Sequence, residues 1–270
     1  MRPDIDRVTH LIEEAAAVEI MPRFQRLAAG DIREKAPGDF VTIADEAVEA
    51  RLSPLLTELL PGSLVLGEEA AAADENLLNH LLGEESVWII DPVDGTANFA
   101  EGRPAFASIV ALAKGGRLEA GWIHDPVARR TAVAVVGEGA WLGSRRLRVA
   151  TAPEEIGDMV GVLLSGYFGS REIGRKVEAR RRRVRALRSV RSAGLEYLRL
   201  VGGEMHFALF TKLMPWDHAA GVLLHAEAGG HARYLEGGAY EPAAIARSGL
   251  LLAPDPDSWQ QLHTTLLGPD

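Results

Sequence analysis

The sequence predicts a mixed α/β fold, and three patterns along its 270 residues indicate it. Residues 4–27 and 42–59 carry apolar side chains at helical spacing, which is typical of amphipathic helices that cover a sheet. Between residues 106 and 149, short apolar runs alternate with tight turns, and this pattern predicts an antiparallel meander. From residue 159 onward, strand-like and helix-like segments alternate, which favours a sheet covered by helices.

Local signals set the expected limits of the elements. Asp4 is a candidate N-cap of the first helix, and Thr42 is a candidate N-cap of the second. Pro54 predicts a kink or a break in the second helix, because proline lacks an amide proton. Strands are expected at residues 63–66, 107–112, 118–124, 131–136, 140–142, 147–149, 159–164, 184–190, 205–210, 231–235 and 250–252. Further helices are expected at residues 170–183, 193–201, 217–228 and 258–266.

Composition limits the classes of protein to which the chain can belong. Its 47% hydrophobic and 25% charged residues are ordinary for a globular protein. Its 270 residues are enough for one large domain or two packed halves. A net charge of −9 argues against a nucleic-acid partner or an anionic membrane surface. The absence of cysteine excludes thiolate nucleophiles and cysteine metal ligands. The charged N-terminus and the lack of a long apolar run predict a cytoplasmic protein with no membrane association.

One stretch, residues 87–99, is central to the functional prediction. Its apolar beginning fits a buried strand. Asp91 and Asp94 follow, and Pro92 between them predicts a turn at Asp91 that aims both carboxylates into one space. Adjacent carboxylates repel each other unless a cation lies between them, and oxygen ligands favour Mg²⁺. If a helical turn begins at Gly95, its amide groups form an anion site beside the metal. A metal next to an anion site indicates phosphate-ester chemistry.

Acidic and polar residues elsewhere allow two interpretations. Thr42 and Asp45 fit ordinary helix capping, and Asp217 fits the N-cap of its own helix. Glu68 lies either in a solvated loop or, if two short apolar strands run side by side, next to Asp91. We favour the functional interpretation, because capping explains each residue alone but not why all of them accompany the acidic turn.

These residues belong to four motifs that occur in order along most of the chain. They are Lys35 with residues 39–45, residues 67–69, residues 88–99 and residues 215–221. Together they resemble the inositol monophosphatase family of Mg²⁺-dependent, typically lithium-sensitive phosphomonoesterases. The resemblance implies a layered αβαβα sandwich of the inositol monophosphatase and fructose-1,6-bisphosphatase type. It also implies an N-terminal α+β half at residues 1–150, with the antiparallel sheet and most metal ligands. A C-terminal α/β half at residues 151–270 closes the active site, and the two halves pack as one unit.

The resemblance further implies two or three Mg²⁺ ions and their ligands. Glu68, Asp91 and the carbonyl group of Val93 are expected to hold one ion. Asp91, Asp94 and Asp217 are expected to hold the second ion. A third ion is expected near Glu68. Glu68 is also expected to be one of the catalytic residues. Four carboxylates suffice for such a set if water and phosphate oxygens complete the coordination.

The same resemblance assigns the remaining catalytic groups. Asp45 and Thr96 are expected to orient and deprotonate the attacking water. Gly95 and Thr96 are expected to receive the phosphate through their amide groups, with Asp94 also near the substrate. Glu69 and Thr42 are expected to orient the groups that act directly.

The substrate is expected to be a small phosphorylated metabolite that differs from plain inositol monophosphate. Inositol phosphatases carry a glutamate for sugar hydroxyls seven residues before the last metal ligand, where this chain has Phe210. A phenylalanine cannot accept those hydrogen bonds. Arg191 stands where the family usually has glycine, directly before the pocket residues Ser192 and Ala193. These differences shift the expectation toward a sugar phosphate or an aminoalcohol phosphate, including one with a second anionic group.

Several alternatives stay open. Within the superfamily, the substrate could be histidinol phosphate, fructose 1,6-bisphosphate or 3'-phosphoadenosine 5'-phosphate. A non-catalytic regulator that binds protein or RNA is the alternative of another class, and the complete set of acidic residues argues against it. A nuclease is disfavoured by the negative net charge. The arginine-rich run at residues 180–191 is interpreted mainly as a solvated helix end. The resemblance implies a homodimer.

Overall fold

The N-terminal part of the chain forms a helical layer and a hairpin. The computed structural model describes residues 3–163 and 171–268. The first elements are α1 (Ile5–Ala15), a π-helical turn (Ala16–Ile20), the hairpin strands β1 (Ile32–Ala36) and β2 (Asp39–Thr42), and α2 (Ile43–Leu59).

The first helix is shorter than the sequence pattern predicts. Asp4 caps it as expected, since its Oδ1 atom accepts a hydrogen bond from the amide of Arg7 at 3.0 Å. The helical run ends at Ile20 instead of continuing to residue 27. Pro22 has no amide proton with which to continue the helical hydrogen bonds, and Gln25 has a left-handed backbone with a φ of 60°.

The second helix has the predicted extent. Thr42 caps it as predicted, because its Oγ1 atom accepts a hydrogen bond from the amide of Ala44 at 3.2 Å. The helix continues through Pro54 to Leu59, so of the predicted kink or break, the break does not occur. The lost amide proton is tolerated because the helix packs its apolar face on a sheet.

The larger of the two main sheets has seven strands in sequence order. They are β3 (Leu64–Gly67), β4 (Ser86–Asp94), β5 (Ala107–Lys114), β6 (Arg117–Asp125), β7 (Arg130–Val135), β8 (Gly139–Leu142) and β9 (Arg145–Arg146). Short helices α3 (Glu68–Ala73) and α4 (Thr96–Ala100) follow β3 and β4. β3 and β4 run parallel and β4 to β9 run antiparallel, which confirms the predicted meander.

The end of β4 differs from the predicted turn. The strand does not stop at Asp91 but continues to Asp94 with a bulge, since Asp91 pairs with Ile109 and Asp94 with Ala107. Pro92 lies inside this bulge, a position where its missing amide proton breaks no ladder bond. The bulge therefore brings the two carboxylates together without ending the strand.

The remaining elements form a five-stranded sheet with its helices. They are β10 (Val160–Leu163), α5 (Arg171–Arg180), β11 (Arg185–Leu187), α6 (Ala193–Val201), β12 (Phe207–Phe210), α7 (Pro215–Glu227), β13 (His231–Tyr234), β14 (Leu250–Ala253) and α8 (Pro256–Leu267). The strand order is β11-β10-β12-β14-β13. β10 is parallel to β11 and β12, whereas β14 is antiparallel to its two neighbours.

A predicted strand and a predicted N-cap are wrong, and β11 is shorter than the strand predicted at residues 184–190. Two further predicted limits fall outside the described residues. Residues 147–149 are not a strand, because the amide of Val149 donates instead to the carbonyl of Ala228. α7 begins at Pro215, so Asp217 lies inside its first turn and is not its N-cap. The expected strand end at residue 164 and helix start at residue 170 lie outside the described part of the chain.

The elements stack in five layers. α1 and α2 cover the outer face of the large sheet, where Trp88 and Trp122 are buried. α6 and α7 lie between the two sheets, and α5 and α8 cover the outer face of the small sheet. This αβαβα order confirms the predicted fold class. The helix α7 approaches the large sheet closely, since a Cβ atom on Gly121 would lie 2.8 Å from Cα of Ala220.

The apolar cluster between the sheets joins both parts of the chain. It contains side chains of the large sheet, such as Ile109, and of the small sheet, such as Leu252. The boundary near residue 150 stays a prediction. None of the helices in the described ranges is long and apolar enough to cross a membrane.

Candidate active site

Three carboxylates converge beside the bulged end of β4. Asp91 and Asp94 come from this bulge and Asp217 from the first turn of α7, and oxygen atoms of all three lie within 4.8 Å of one another. Burial, followed by the negative charges of Glu68 and Asp94, raises the pKa of Asp217 to about 8. Burial and the same kind of repulsion raise the pKa of Asp91 well above its usual value. Burial also raises the pKa of Asp94 to about 6, although its hydrogen bonds oppose the shift.

The carboxylate of Asp91 has the environment of a metal ligand. Its side chain is 1% exposed, and its buried Oδ1 atom has no hydrogen-bond partner among residues 3–163 and 171–268. A buried carboxylate oxygen without a partner is costly, and so is the repulsion among three such groups. A divalent cation between hard oxygen donors relieves both, so the residues present fit Mg²⁺.

Glu68, the first residue of α3, is not one of the three carboxylates that converge, but its charge acts on Asp91 and Asp217. Its Oε1 atom accepts a hydrogen bond from Nζ of Lys35 at 2.9 Å, and Oε1 of Glu69 accepts another at 3.0 Å. Burial lowers the pKa of Lys35, but the charges and hydrogen bonds of the two glutamates outweigh this and raise it. Burial and the charge of Glu68 raise the pKa of Glu69 to about 7. The β1–β2 hairpin thus places a cation against the acidic site.

Asp45 is a fully buried carboxylate whose two oxygens have different surroundings. Its Oδ2 atom accepts hydrogen bonds from the amide of Thr42 at 2.8 Å and from the hydroxyl of Thr42 at 2.6 Å. Its Oδ1 atom lies 3.3 Å from the hydroxyl oxygen of Thr96. That hydroxyl oxygen also lies 2.9 Å from the carbonyl oxygen of Val93. Burial raises the pKa of Asp45 to about 7, although the bonds from Thr42 lower it.

Gly95 forms the turn from β4 into α4, and only glycine fits there. Its φ of 89° lies in the left-handed region, and a Cβ atom would come within 2.9 Å of the carbonyl oxygen of Ala105. The same Cβ atom would lie 3.2 Å from Cβ of Ser192. The backbone of Gly95 and Thr96 therefore lies directly against the loop before α6.

Asp94 connects the large sheet to this loop. Its carboxylate accepts hydrogen bonds from the hydroxyl of Ser192 at 2.5 Å, the amide of Ala193 at 2.9 Å and the amide of Gly194 at 2.8 Å. An ionised carboxylate offers about four acceptor positions, so one remains for a cation. The side chain that belongs to the acidic cluster also fixes the first turn of α6.

A cavity of about 320 Å³ opens next to the carboxylates. Four residues expected to contact the substrate line it, together with two of the acidic residues: Arg191, Ser192, Ala193, Phe210, Asp94 and Asp217. The backbone of Arg191 has a φ of 60°, in the left-handed region that favours glycine. The glycine that the resemblance implies at this position would adopt this conformation without strain.

Phe210 lies at the wall of the cavity but belongs to the core. It is 1% exposed, and its ring stacks on Tyr197 with centroids 5.1 Å apart. The ring of His218 lies 4.8 Å from that of Phe210 and 5.9 Å from that of Tyr197, so the three rings contact one another. A glutamate at this position would have to be buried among aromatic rings, so the local packing is built for an apolar side chain.

Two residues that hold the site together have roles that the sequence does not predict. Glu49 of α2 accepts hydrogen bonds from the amides of Glu69 and Ala70, both at 2.9 Å, and so fixes the start of α3. Gly67 permits this approach, since a Cβ atom there would lie 2.2 Å from the carboxylate carbon of Glu49. A glycine directly before two glutamates was the only signal in the sequence, and it did not indicate the partner.

Asn98 is the second residue whose role was missed. Its Nδ2 atom donates to the carbonyl oxygens of Ala105 at 2.6 Å and of Val190 at 2.8 Å. These bonds join α4 to the loop that carries Arg191. Nothing in the sequence indicated this contact, because its partners are backbone groups 92 positions away.

The layered fold and the buried carboxylate cluster define the class of the sandwich-type phosphatases. The chain belongs to the inositol monophosphatase family, since the sequence model of that family matches residues 4–268. It is therefore a phosphoric monoester hydrolase, as the motifs predict.

Individual relatives agree with this assignment. An inositol-1-monophosphatase of Mesorhizobium japonicum is 36% identical over 211 residues, which cover 76% of this chain and 75% of the relative. A Pseudomonas aeruginosa protein named Nus factor SuhB is 33% identical over 219 residues, 78% of each chain. The solved structure of the extragenic suppressor protein suhB of Bartonella henselae superposes with a TM-score of 0.78 at 26% identity, covering 98% of this chain and 100% of that one.

Proposed function

We propose that this protein hydrolyses a small phosphate monoester in a reaction that depends on Mg²⁺ at the cluster of Asp91, Asp94 and Asp217. The observation that carries this proposal is the approach of three carboxylates, two of them buried and the third half-buried, to within 4.8 Å. Such a cluster is stable at neutral pH only if protons or a cation compensate its charge. The family assignment supports the reaction class, and the unpartnered oxygen of Asp91 supports the cation.

The ligand set for two or three ions follows the family pattern. We propose that Glu68, Asp91 and the carbonyl of Val93 hold one ion, and that Asp91, Asp94 and Asp217 hold another. A third would lie near Glu68. When bound, Mg²⁺ supplies charge neutralisation at the phosphoryl group and acidifies a water molecule.

The protein's own groups would orient and deprotonate the attacking water. Asp45, with a pKa raised by burial to about 7, is a general base matched to neutral pH. Thr42 occupies Oδ2 of Asp45, so Oδ1 is the atom that takes the proton. The hydroxyl of Thr96 lies beside this oxygen and donates to the Val93 carbonyl at 2.9 Å, so its lone pairs can accept a hydrogen bond from water.

Substrate positioning would come from the backbone around the cavity. We propose that the amide groups of Gly95 and Thr96, at the tight turn from β4 into α4, bind the phosphate. Ser192 and Ala193 lie in the adjacent loop and are fixed by their bonds to Asp94. Glu69 would act indirectly, by holding Lys35 and Glu68 in place.

The substrate proposal separates this protein from plain inositol phosphatases. Phe210 is packed against the rings of Tyr197 and His218 and provides no acceptor for sugar hydroxyls. We therefore propose another phosphomonoester, with histidinol phosphate, fructose 1,6-bisphosphate and 3'-phosphoadenosine 5'-phosphate as the alternatives to test. Preferred turnover of inositol 1-phosphate, the substrate in the name of the Mesorhizobium japonicum relative, would contradict this.

Phosphate release from a panel of these esters, with Mg²⁺ and with a chelator, tests the proposal. We expect Mg²⁺-dependent release from at least one ester, with inhibition by Li⁺ as the family resemblance implies. A folded protein that releases no phosphate from any of them at any Mg²⁺ concentration would contradict it. Such a result would favour the regulatory alternative, which the name of the Pseudomonas aeruginosa relative suggests. A homodimer and a cytoplasmic location stay predictions.

A further inference from the structure

We propose that Arg191 and Lys212 form a binding site for a second anionic group of the substrate. The substrate class would then be small phosphomonoesters that carry another phosphate or a carboxylate. This inference rests on the proposed function and adds the part of the molecule that selects the substrate.

Both cations lie on the wall of the same cavity as the acidic cluster. Arg191 precedes α6 and Lys212 follows β12, and both residues are exposed. Within residues 3–163 and 171–268, neither the guanidinium group nor the ammonium group has a hydrogen bond or an ion pair. Two unpaired cations on one cavity wall favour an anionic ligand.

The acidic residues of the cavity have other partners once metal ions occupy the cluster. Asp94 is engaged by the amide groups at the start of α6. Glu196 is 1% exposed, accepts a hydrogen bond from the amide of Val190 at 2.7 Å and pairs with Arg199 at 3.4 Å. The charge of Lys212 acts on Asp217, but Asp217 belongs to the metal cluster, where a bound cation would compensate it. The wall that carries Arg191 and Lys212 therefore keeps its positive charge when cations occupy that cluster.

The loop that carries Arg191 is held in one conformation. Asn98 donates to the carbonyl oxygens of Val190 at 2.8 Å and of Arg191 at 3.2 Å. The amide of Arg191 donates to the hydroxyl of Ser189 at 2.9 Å. A loop fixed in this way loses less entropy when its side chain binds a ligand.

The backbone of Lys212 is fixed in a similar way. The Nε2 atom of His218 lies 2.8 Å from the carbonyl oxygen of Lys212, which can only accept, so Nε2 carries a proton and donates it. Nδ1 of the same ring lies 3.1 Å from the hydroxyl of Tyr197. The aromatic core around Phe210 therefore fixes the backbone that carries Lys212.

The strained backbone of Arg191 also indicates a functional residue. A φ of 60° is unfavourable for arginine and free of strain for glycine. Residues held in such conformations cluster at binding sites, where the side chain is needed in one place. The cavity of about 320 Å³ is at the small end of ligand pockets, so both anionic groups belong to a small metabolite.

Paired substrates test this inference directly. The first pair is glycerol 3-phosphate and 3-phosphoglycerate, in which a carboxylate replaces a hydroxymethyl group. The second pair is fructose 1-phosphate and fructose 1,6-bisphosphate, which carries one more phosphate. We expect wild-type protein to show a higher kcat/KM for the second member of at least one pair, mainly through a lower KM. Arg191→Gly and Lys212→Gln should each reduce this preference by about fivefold, the effect of one exposed charge pair.

Two further variants separate charge recognition from structural damage. Arg191→Lys should retain part of the preference, because it keeps the charge. Arg188→Gln is the matched control, a nearby arginine outside the cavity, and should leave the preference unchanged. Calorimetric binding of each pair to the Asp45→Asn protein gives a readout that does not depend on turnover.

The outcomes distinguish this inference from the proposed function. If esters are hydrolysed without preference for a second anion, or if Arg191→Gly and Lys212→Gln keep the preference, the second-anion site is wrong and the phosphatase stands. If no ester is hydrolysed but 3-phosphoglycerate binds more tightly than glycerol 3-phosphate, and Arg191→Gly removes the difference, the site is supported and the phosphatase is wrong.

Discussion

The hydroxyl oxygen of Thr96 lies 3.3 Å from Oδ1 of Asp45, so the first turn of α4 meets the first turn of α2. The single proton of Thr96 has a nearer acceptor in the carbonyl of Val93, at 2.9 Å. Oδ1 of Asp45 is therefore left to accept a proton from another donor. A buried carboxylate with one free oxygen and a pKa of about 7 has the properties of a general base.

The first prediction concerns the pH dependence of turnover. Because Asp45 acts as a base in its ionised form, kcat should rise as the pH increases through about 7. Asp45→Asn should lower kcat by about 10²-fold to 10⁴-fold and remove this rise. Steady-state rates between pH 5 and 9 at saturating Mg²⁺ measure both effects. Asp257→Asn, an exposed aspartate in the first turn of α8, is the control. An unchanged pH profile in Asp45→Asn would exclude this role.

The second prediction concerns the stability of the metal-free protein. Burial raises the pKa values of Asp94 to about 6, of Asp45 and Glu69 to about 7, and of Asp217 to about 8. At pH values between the ordinary carboxyl pKa values and these raised values, the folded state binds more protons than the unfolded state. The free energy of unfolding should therefore fall as the pH rises from about 4 to about 8.

Divalent cations should reverse that loss. Mg²⁺ binds the ionised carboxylates of the folded protein, so it should raise the Tm more at pH 8 than at pH 5. Thermal unfolding with a chelator and with Mg²⁺, at both pH values, measures the difference. Equal Tm values under all four conditions would show that these carboxylates neither repel one another nor bind a cation.

The third prediction concerns Glu49, which accepts hydrogen bonds from two amides of α3. Glu49→Gln removes one of these acceptors at a site where the side chain is 8% exposed, and should cost about 1 kcal/mol of stability. The apparent affinity for Mg²⁺ should fall by about 10-fold to 100-fold, because Glu68 is no longer held in place. Glu58→Gln, an exposed glutamate on the same helix, is the matched control. A Mg²⁺ dependence equal to that of Glu58→Gln would show that Glu49 does not support Mg²⁺ binding.

The fourth prediction concerns the backbone at Arg191. Arg191→Gly should be more stable than Arg191→Ala by about 1 kcal/mol, because alanine retains the left-handed strain and glycine relieves it. At Arg188, where φ is not positive, the order should be reversed, since glycine gains more freedom on unfolding. Denaturant unfolding of the four variants measures this. The same order of stability at both positions would show that Arg191 carries no strain.

Most of the fold could be predicted from hydrophobic patterns. The meander at β5 to β8 follows from short strands with tight turns, and α6 has the predicted bounds, Ala193–Val201. The errors occur where tertiary contacts override a local signal. α2 continues through Pro54 because packing on the sheet compensates for the lost hydrogen bond. β4 continues past Asp91 because β5 pairs with it on both sides of a bulge.

The candidate site shows the same limit. Residue type and order sufficed to select the acidic residues that the structure brings together, such as Asp91 and Asp217. The supporting contacts could not be predicted, because Glu49 and Asn98 bind backbone amides and carbonyls, which no side-chain pattern marks. Lys212 was missed because a lone lysine in a loop is usually a solvated side chain.

The central claim is that the carboxylate cluster holds the cations on which hydrolysis depends, and Asp91 is the residue shared by both expected ion positions. Mg²⁺-dependent phosphate release should therefore be compared between wild type, Asp91→Asn and the surface control Asp257→Asn. We predict that Asp91→Asn loses more than about 100-fold in kcat/KM at saturating Mg²⁺. Its metal-free form should be at least as stable as the wild type at pH 8, since one buried charge is gone. A Mg²⁺-dependent rate in Asp91→Asn equal to that of the wild type would contradict the account.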